Sequence, residues 1–248
     1  MEKRGRIIIS VLLIVLTSFL LYFVFYSKLT GKVISDRELV AHWNFDRASP
    51  ILEYDSSGKE IHARLMNGAH TIEYDDKRGR VLLLDGVDDY AFAYASSGLD
   101  ITNRFTFTAW IYSDNNDFIG TIFSKESLKT DSEGSYNLYA AKNLFRYELN
   151  KKGILESGGI STGEWYHVAL TYDFFSKPQM KMYIDGKLVN SGDIAPPYVN
   201  DFDLLIGRRG YDKTNEKGAY FKGMMDEMRI YTRALNDREI KELVTVFQ

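Results

Sequence analysis

Residues 105–112 read FTFTAWIY, a stretch in which apolar and polar positions largely alternate. In an extended chain every second side chain points to the same face. One face then holds Phe105, Phe107 and Ala109, and the other holds Thr106, Thr108 and Trp110. This alternation and the richness in aromatic residues predict a strand that buries one face in a core.

Short stretches of the same kind recur along the chain, about ten to fifteen positions apart, with turn residues between them. They predict strands at residues 39–45, 81–84, 90–94, 105–112, 120–123, 136–139, 144–148, 165–172, 179–184, 187–189, 203–206 and 218–231. Asp185 and Gly186 lie between two of these strands and suit a two-residue type I′ hairpin, which needs positive φ angles. Since no segment is typical of a crossover helix, we expect an all-β fold, a two-sheet antiparallel jelly-roll sandwich.

The last segment is the only one that we predict to be helical within the exported part. Asn236 can cap the first turn, and Glu239 can reach back to it as in a capping box. Ile240, Leu243 and Val244 then lie on one face of the helix. The sandwich should therefore end in one short helix.

The N-terminal region contains a long uncharged run at residues 7–26. A helix of this length spans about 30 Å, the thickness of the hydrocarbon core of a bilayer. A cleaved signal peptide is the alternative, although its apolar stretch is usually about 7–15 residues long. Lys3, Arg4 and Arg6 favour a cytoplasmic N-terminus and an exported domain. The predicted organisation is a cytoplasmic N-terminus at 1–6, a transmembrane anchor at 7–26, a linker at 27–38 and the jelly-roll domain at 39–248.

The composition excludes several classes of site and partner. With 31 basic and 34 acidic residues the net charge is −3, whereas a nucleic-acid binder needs a basic face. The chain has no cysteine, which excludes disulfides, thiolate zinc sites and a cysteine nucleophile. The exported part also lacks Asn-x-Ser/Thr sequons, so we expect a prokaryotic cell surface.

Six motifs, in order, resemble those of one domain family. They are AHWNFD with YDSSG (41–46 and 54–58), LDGVDDY (84–90), FTFTAWI (105–111), GEWYHVALTYD (163–173), YIDGK (183–187) and GMMDEMRIYTRAL (223–235). On these motifs the chain resembles the LamG-like jelly-roll domains of the concanavalin A-like lectin/glucanase superfamily. The resemblance covers about residues 40–243 and implies the same sandwich, but not one activity, because the fold supports many.

Glycosidases on this fold, as the resemblance implies, carry carboxylates at alternating positions of one strand, where two of them flank a glycosidic bond. The sequence contains no Glu-x-Asp-x-Glu pattern. Asp201 and Asp203 lack a third carboxylate, and the adjacent Asp226 and Glu227 would face opposite ways on a regular strand. We therefore expect no catalytic residues and no enzymatic activity.

Calcium is the cofactor that the resemblance implies. In the resembled family a structural ion uses an acidic residue of the final strand, with oxygens from the opening strand and from a glycine-containing turn. Asp226 matches the final-strand position, and Asp46 and Asp88 are its expected neighbours. The alternative is that Asp88 and Asp89 cap a turn and that Asp226 hydrogen-bonds to backbone.

Arginine and tyrosine side chains are the expected ligand contacts. Together they suit the recognition of sugar hydroxyl or carboxylate groups. The candidates are Tyr139, Arg146 and Tyr147 on two short strands, and Arg208, Arg209 and Tyr211 in the loop after residue 206. The alternative is a solvated rim with no ligand.

These observations predict a membrane-anchored binding module whose domain lies outside the cytoplasm and recognises an extracellular glycan. One alternative is an adhesion or assembly module that binds an envelope protein. Another is a glycan-active hydrolase or lyase with an unfamiliar site. The expected contacts are a glycan or an envelope protein, the membrane through residues 7–26, and no nucleic acid.

Overall fold

The structure is a computed structural model, and it describes residues 38–114, 119–126, 136–141, 144–149, 153–210 and 220–245. The predicted transmembrane segment, residues 7–26, lies outside these ranges. Within them, no helix is long and apolar enough to cross a membrane.

The described chain is almost entirely β-structure and ends in one short helix. The strands are β1 (Leu39–Trp43), β2 (Leu52–Glu53), β3 (Ala63–Met66), β4 (His70–Asp75), β5 (Gly79–Asp85), β6 (Tyr90–Ala93), β7 (Arg104–Tyr112), β8 (Ile119–Ser124), β9 (Tyr136–Ala141), β10 (Leu144–Leu149), β11 (Gly153–Gly158), β12 (Trp165–Asp173), β13 (Met180–Ile184), β14 (Lys187–Gly192), β15 (Leu204–Ile206) and β16 (Lys222–Tyr231). The helix is α1 (Asp237–Thr245).

The strands form two eight-stranded antiparallel sheets that pack face to face. The first sheet has the order β14-β13-β12-β7-β16-β5-β4, with β1 also paired to β16. The second has the order β11-β10-β9-β8-β15-β6-β3-β2. In each sheet, pairs of consecutive strands are joined to strands distant in sequence, such as β7 beside β16 and β8 beside β15, as in a jelly-roll sandwich. The all-β two-sheet prediction is confirmed.

The core lies between the inner faces of the two sheets. On β7 Phe105, Phe107 and Ala109 are fully buried members of this core, so the face predicted from FTFTAWIY is confirmed. Trp110 lies on the opposite, outer face of the first sheet, where it pairs across the strands with His167. The same alternation gives each sheet an outer face on which functional groups can lie.

The predicted hairpin and helix cap are both present. Asp185 and Gly186 have φ angles of 49° and 73°, as a type I′ turn needs. Asn236 Oδ1 accepts the Glu239 N–H at 3.1 Å, and a Glu239 carboxylate oxygen accepts the Asn236 N–H at 2.9 Å. This reciprocal pair is the capping box that the sequence predicts.

Candidate functional site

A polar surface lies on the outer face of the second sheet, where β9 and β10 run side by side. Every second residue of these strands is a core residue, which leaves the residues between them pointing outward. The outward residues are Asn137 and Tyr139 on β9 and Arg146 and Glu148 on β10. Glu126 follows β8 and Arg209 follows β15, and both have side chains in contact with this surface. These six residues are called the polar face below.

Arg146 is held in place by two neighbours on adjacent strands. Its Nη1 donates to the Tyr139 hydroxyl at 2.9 Å, and its Nε donates to Glu156 Oε2 at 2.8 Å. The guanidinium carbon also lies 5.6 Å from the centre of the Tyr139 ring. The aromatic ring and the charged group are therefore presented together, in a fixed relative position.

Arg209 links two carboxylates that come from different parts of the sequence. Its Nε lies 3.4 Å from Glu126 Oε2, and its Nη2 lies 3.3 Å from Glu148 Oε1. Glu126 also accepts hydrogen bonds from Ser124 Oγ at 3.1 Å and from the Gly210 N–H at 3.2 Å. Burial raises the pKa of Glu126, and the positive charge of Arg209 opposes that shift. The pair of acids and the arginine thus form one connected network.

Asn137 is the unusual member of the polar face. It is 1% exposed, and neither its Oδ1 nor its Nδ2 has a hydrogen-bond partner in the described part of the chain. Across the strands it pairs with Glu148 on one side and Ser124 on the other. Leaving a buried amide unsatisfied costs about 1–3 kcal/mol. The amide therefore has an unused donor and an unused acceptor beside Glu148, and a ligand reaches these two covered atoms only if neighbouring side chains move.

The adjacent acids of β16 lie on the outer face of the first sheet. A β-bulge interrupts the pairing with β7 after Asp226, and Glu227 has a φ angle of 51°. Glu227 contacts His42 Nε2 at 2.8 Å and also pairs with Arg229. The expectation that Asp226 and Glu227 face opposite ways is wrong, because the bulge adds a residue and turns both outward.

Asp226 is fully buried beside an arginine. Arg78 Nη1 lies 3.5 Å from Asp226 Oδ2, and the Arg78 guanidinium lies 4.2 Å from the ring centres of both Trp110 and Trp165. Burial, reinforced by the charge of Glu227, raises the pKa of Asp226 to about 8. The guanidinium is thus the cation beside this carboxylate. The described residues around Asp226 fit an internal arginine and do not fit a calcium site centred there.

The three predicted calcium ligands do not meet at one point. Lys222 pairs with Asp85 across β16 and β5, and Asp226 lies four residues further along, about 13 Å away. Asp88 belongs to the turn after Asp85, so it is remote from Asp226. Asp46 lies near the start of β5, where its Oδ1 is 3.4 Å from the Arg80 N–H, and its charge helps to raise the pKa of Asp226. The expectation that Asp88 is a neighbour of Asp226 is therefore wrong, whereas Asp46 lies close enough for its charge to act on that carboxyl group.

Asp85, Asp88 and Asp89 form an acidic cluster with one oxygen of each within 4.8 Å of the others. Asp85 Oδ1 accepts the N–H groups of Val87 at 2.8 Å and Asp88 at 3.3 Å. Asp89 Oδ1 accepts the Gly68 N–H at 2.7 Å. Asp85 and Asp89 thus make the turn-capping contacts that the alternative interpretation assigned to Asp88 and Asp89. Calcium binding by this cluster stays a prediction.

A family model described as the Concanavalin A-like lectin/glucanases superfamily matches residues 85–241. The chain belongs to this superfamily. The matched range begins just before β6 and extends into α1, so it includes β9, β10 and β15 next to the polar face. No curated protein matches the chain.

Solved structures of the same fold have low sequence identity to this superfamily member. Domain 4 of AbnA, a GH43 extracellular arabinanase from Geobacillus stearothermophilus, in complex with arabinotriose, matches with a TM-score of 0.64 at 20% identity, over 85% of this chain and 98% of that one. The botulinum neurotoxin serotype D binding domain has a TM-score of 0.65 at 15% identity, over 85% of this chain and 52% of that one. The sialidase of Trypanosoma rangeli in complex with sialic acid has a TM-score of 0.61 at 17% identity, over 84% of this chain and 32% of that one. This likeness establishes the fold alone.

The structure separates the six predicted ligand residues into groups. Tyr139, Arg146 and Arg209 lie on the polar face of this superfamily domain. Tyr147 is wrongly placed by the sequence analysis, because it follows Arg146 and the alternation of β10 buries it fully in the core. Arg208 lies further across the same outer face, with its guanidinium 4.9 Å from the Tyr90 ring. Tyr211 lies outside the described residues.

Sequence reasoning missed three members of the polar face. Glu148 lies two positions after Arg146, and Asn137 lies two positions before Tyr139, so each shares a strand face with a predicted residue. This two-residue spacing is the feature of the sequence from which Glu148 and Asn137 could have been predicted. Glu126 carries no such signal, since only the fold brings it to Arg209.

Proposed function

We propose that this superfamily domain is a carbohydrate-binding module and that the polar face is its binding site. The buried, unpartnered amide of Asn137 is the observation that carries the proposal. An amide supplies a donor and an acceptor together, which matches two neighbouring hydroxyl groups of a sugar ring. Tyr139 adds an apolar ring surface beside it.

The arginines of the polar face are placed to bind a ligand rather than to take part in catalysis. Arg146 is oriented by Glu156, and Arg209 is oriented by Glu126 and Glu148, so both side chains lose little entropy when a ligand binds beside them. Glu126 and Glu148 are both engaged with Arg209. We propose binding without turnover on this ground.

Two of the structural neighbours support carbohydrate as the ligand class. AbnA domain 4 contains arabinotriose, and this chain spans nearly all of that domain. The Trypanosoma rangeli sialidase contains sialic acid, and the chain spans about a third of it. Both sugars present several hydroxyl groups, which a surface of amide, carboxylate and guanidinium groups can bind.

The proposal includes the location of the domain. Residues 7–26 would anchor the chain in a cell membrane and leave the binding domain outside the cytoplasm. A protease added to intact cells tests this part. Degradation of the domain supports export, and protection until the cells are opened contradicts it.

Binding is tested with purified full chain in detergent micelles and a panel of neutral oligosaccharides that includes arabinotriose. We expect at least one neutral oligosaccharide to bind, and Tyr139→Ala to weaken it about tenfold. Tyr54→Ala is the matched control, because the Tyr54 ring also lies beside an arginine, Arg47, at 5.0 Å, but away from the polar face. No binding by any panel member, or equal losses in the two variants, contradicts the proposal.

A further inference from the structure

Three aromatic residues form a continuous row on the outer face of the second sheet, away from the polar face. Ala91 and Ala93 of β6 are fully buried, so Tyr90 and Phe92 point outward, and Tyr94 follows them. The ring centres of Tyr90 and Phe92 are 6.4 Å apart, and those of Phe92 and Tyr94 are 5.2 Å apart. Tyr94 is 59% exposed. This row is called the aromatic ladder below.

An arginine lies beside each end of the aromatic ladder. Arg64 pairs with Phe92 across β3 and β6, and its guanidinium carbon is 5.6 Å from the Tyr94 ring centre. The Arg208 guanidinium carbon is 4.9 Å from the Tyr90 ring centre and 5.2 Å from that of Tyr220. The rings hold both guanidinium groups by cation–π contact.

These two arginines differ from the arginines of the polar face in their partners. Arg146 and Arg209 each pair with carboxylates. Among the residues that the structure describes, no carboxylate pairs with Arg64 or Arg208. The turn before Tyr90 carries the carboxylates of Asp85, Asp88 and Asp89, and none of these forms an ion pair with either arginine among the described residues. Their positive charge is therefore available to an anionic ligand.

We propose that the aromatic ladder binds a carboxylate-bearing polysaccharide, a polymer that contains hexuronate units. Aromatic rings pack against the apolar faces of sugar rings, and guanidinium groups bind carboxylates through paired hydrogen bonds. Tyr90 and Tyr94 are four residues apart on an extended chain, about 13 Å. Arg64 and Arg208 thus contact charges on different units of one chain, which favours a polymer over a single sugar.

The inference rests on the proposed function, because it assigns a ligand to the same sheet face, but it uses different residues. An acidic protein is the other class of partner, and the experiment separates it from a polysaccharide.

The test compares polygalacturonate with fully methyl-esterified polygalacturonate, using the full chain in detergent micelles. The two polymers have the same sugar rings and differ in charge. We expect the acid form to bind more tightly, and Arg64→Gln and Arg208→Gln each to weaken it about tenfold. Tyr94→Ala should weaken both polymers. Arg104→Gln is the matched control, since Arg104 also lies over an exposed ring, that of Phe175 at 5.0 Å, on the first sheet.

Several results would overturn the inference. Equal affinity for polygalacturonate and for its methyl ester would show that the arginines do not recognise carboxylates. If polyglutamate binds as tightly as polygalacturonate, the aromatic ladder recognises negative charge alone and needs no sugar ring. An acidic protein would then be the better candidate for the partner. Unchanged affinity in Arg64→Gln and Arg208→Gln, with unchanged thermal midpoints, would place the polymer elsewhere.

Failure of this inference can be distinguished from failure of the proposed function. If neutral oligosaccharides bind in a Tyr139-dependent way and polygalacturonate does not bind, the inference alone fails. If polygalacturonate binds through the aromatic ladder and no neutral oligosaccharide binds, the polar-face proposal alone fails.

Discussion

Buried polar residues without partners occur on the outer faces of both sheets, and their surroundings differ. His167, on the first sheet, is fully buried with no partner for either ring nitrogen, and burial lowers its pKa to about 3. It is therefore a neutral ring that packs against the edge of Trp110. Asn137, on the second sheet, lies among charged groups and a tyrosine. The charges of Arg229 and Arg78 act on His167, whereas Asn137 pairs across the strands with the carboxylate-bearing Glu148.

Asp226 makes the stability of the fold depend on pH. Its folded pKa of about 8 is above its usual value of 3.8, so between these pH values the folded state keeps a proton that the unfolded state has lost. The contribution of Asp226 to stability therefore falls as pH rises through that window, by up to about 1.4 kcal/mol per pH unit.

Replacement of Asp226 by Asn removes this titration. We predict that the free energy of unfolding of the wild type, measured relative to Asp226→Asn, falls from about pH 5 to about pH 8. Urea denaturation of both proteins at the two pH values measures the difference. Parallel pH profiles would contradict the raised pKa.

At the scale of elements, the strands with strong alternation were predictable and the weak ones were not. FTFTAWIY became β7, and β12, β13 and β16 also lie within or close to their predicted ranges. No predicted strand covers β2, β3, β4 or β11. β2 has only two residues, and β3 and β11 contain charged residues or glycine. Each of the four is held by pairing with a neighbouring strand, and β3 also pairs with β6. Such pairing overrides local propensity, which a single stretch of sequence does not show.

In the candidate site, too, some residues were predictable from the local sequence and others were not. Tyr139 and Arg146 were predictable because arginine and tyrosine on short strands suit sugar recognition. Glu126 was not, because it meets Arg209 only after β8 and β15 have paired. The bulge at Glu227 was equally hidden, since it depends on how β16 meets β7.

The capping box predicts the stability of α1. Asn236 accepts the N–H groups of Arg238 at 3.0 Å and Glu239 at 3.1 Å. We predict that Asn236→Ala lowers the free energy of unfolding by about 1 kcal/mol, and that Asn236→Gly lowers it by only a few tenths, since glycine is tolerated at this position. Chemical denaturation measures both, and equal losses would contradict a capping role.

At the scale of the whole molecule, the two outer faces differ in what covers them. The first sheet carries Arg78 over Trp110 and Trp165, and α1 packs against the hairpin at Gly186, where a Cβ atom would lie 3.2 Å from Lys241 Cα. The second sheet presents the polar face and the aromatic ladder. Buried polar atoms without partners in the described residues lie on both sheets, among them the His167 ring nitrogens on the first sheet and the Asn137 amide on the second. The second sheet is the proposed binding side because it combines that amide with the aromatic ladder.

Calcium is expected to act on the turn at residues 85–89 rather than on Asp226. We predict that calcium raises the thermal midpoint, that a chelator reverses the shift, and that Asp88→Asn abolishes it. Asp226→Asn should keep the shift, because Arg78 already lies beside that carboxylate. No shift in the wild type would leave Asp85, Asp88 and Asp89 as turn caps and contradict the prediction.

Asn137→Leu tests the carbohydrate-binding proposal most directly, because binding and stability should change in opposite directions. Removal of a buried, unsatisfied amide should raise the free energy of unfolding by about 1 kcal/mol. The same change should weaken the neutral oligosaccharide bound by the wild type about tenfold, measured by titration calorimetry. Asn44→Leu, at an exposed asparagine away from the polar face, is the control. Unchanged affinity in Asn137→Leu would contradict the polar face as the binding site.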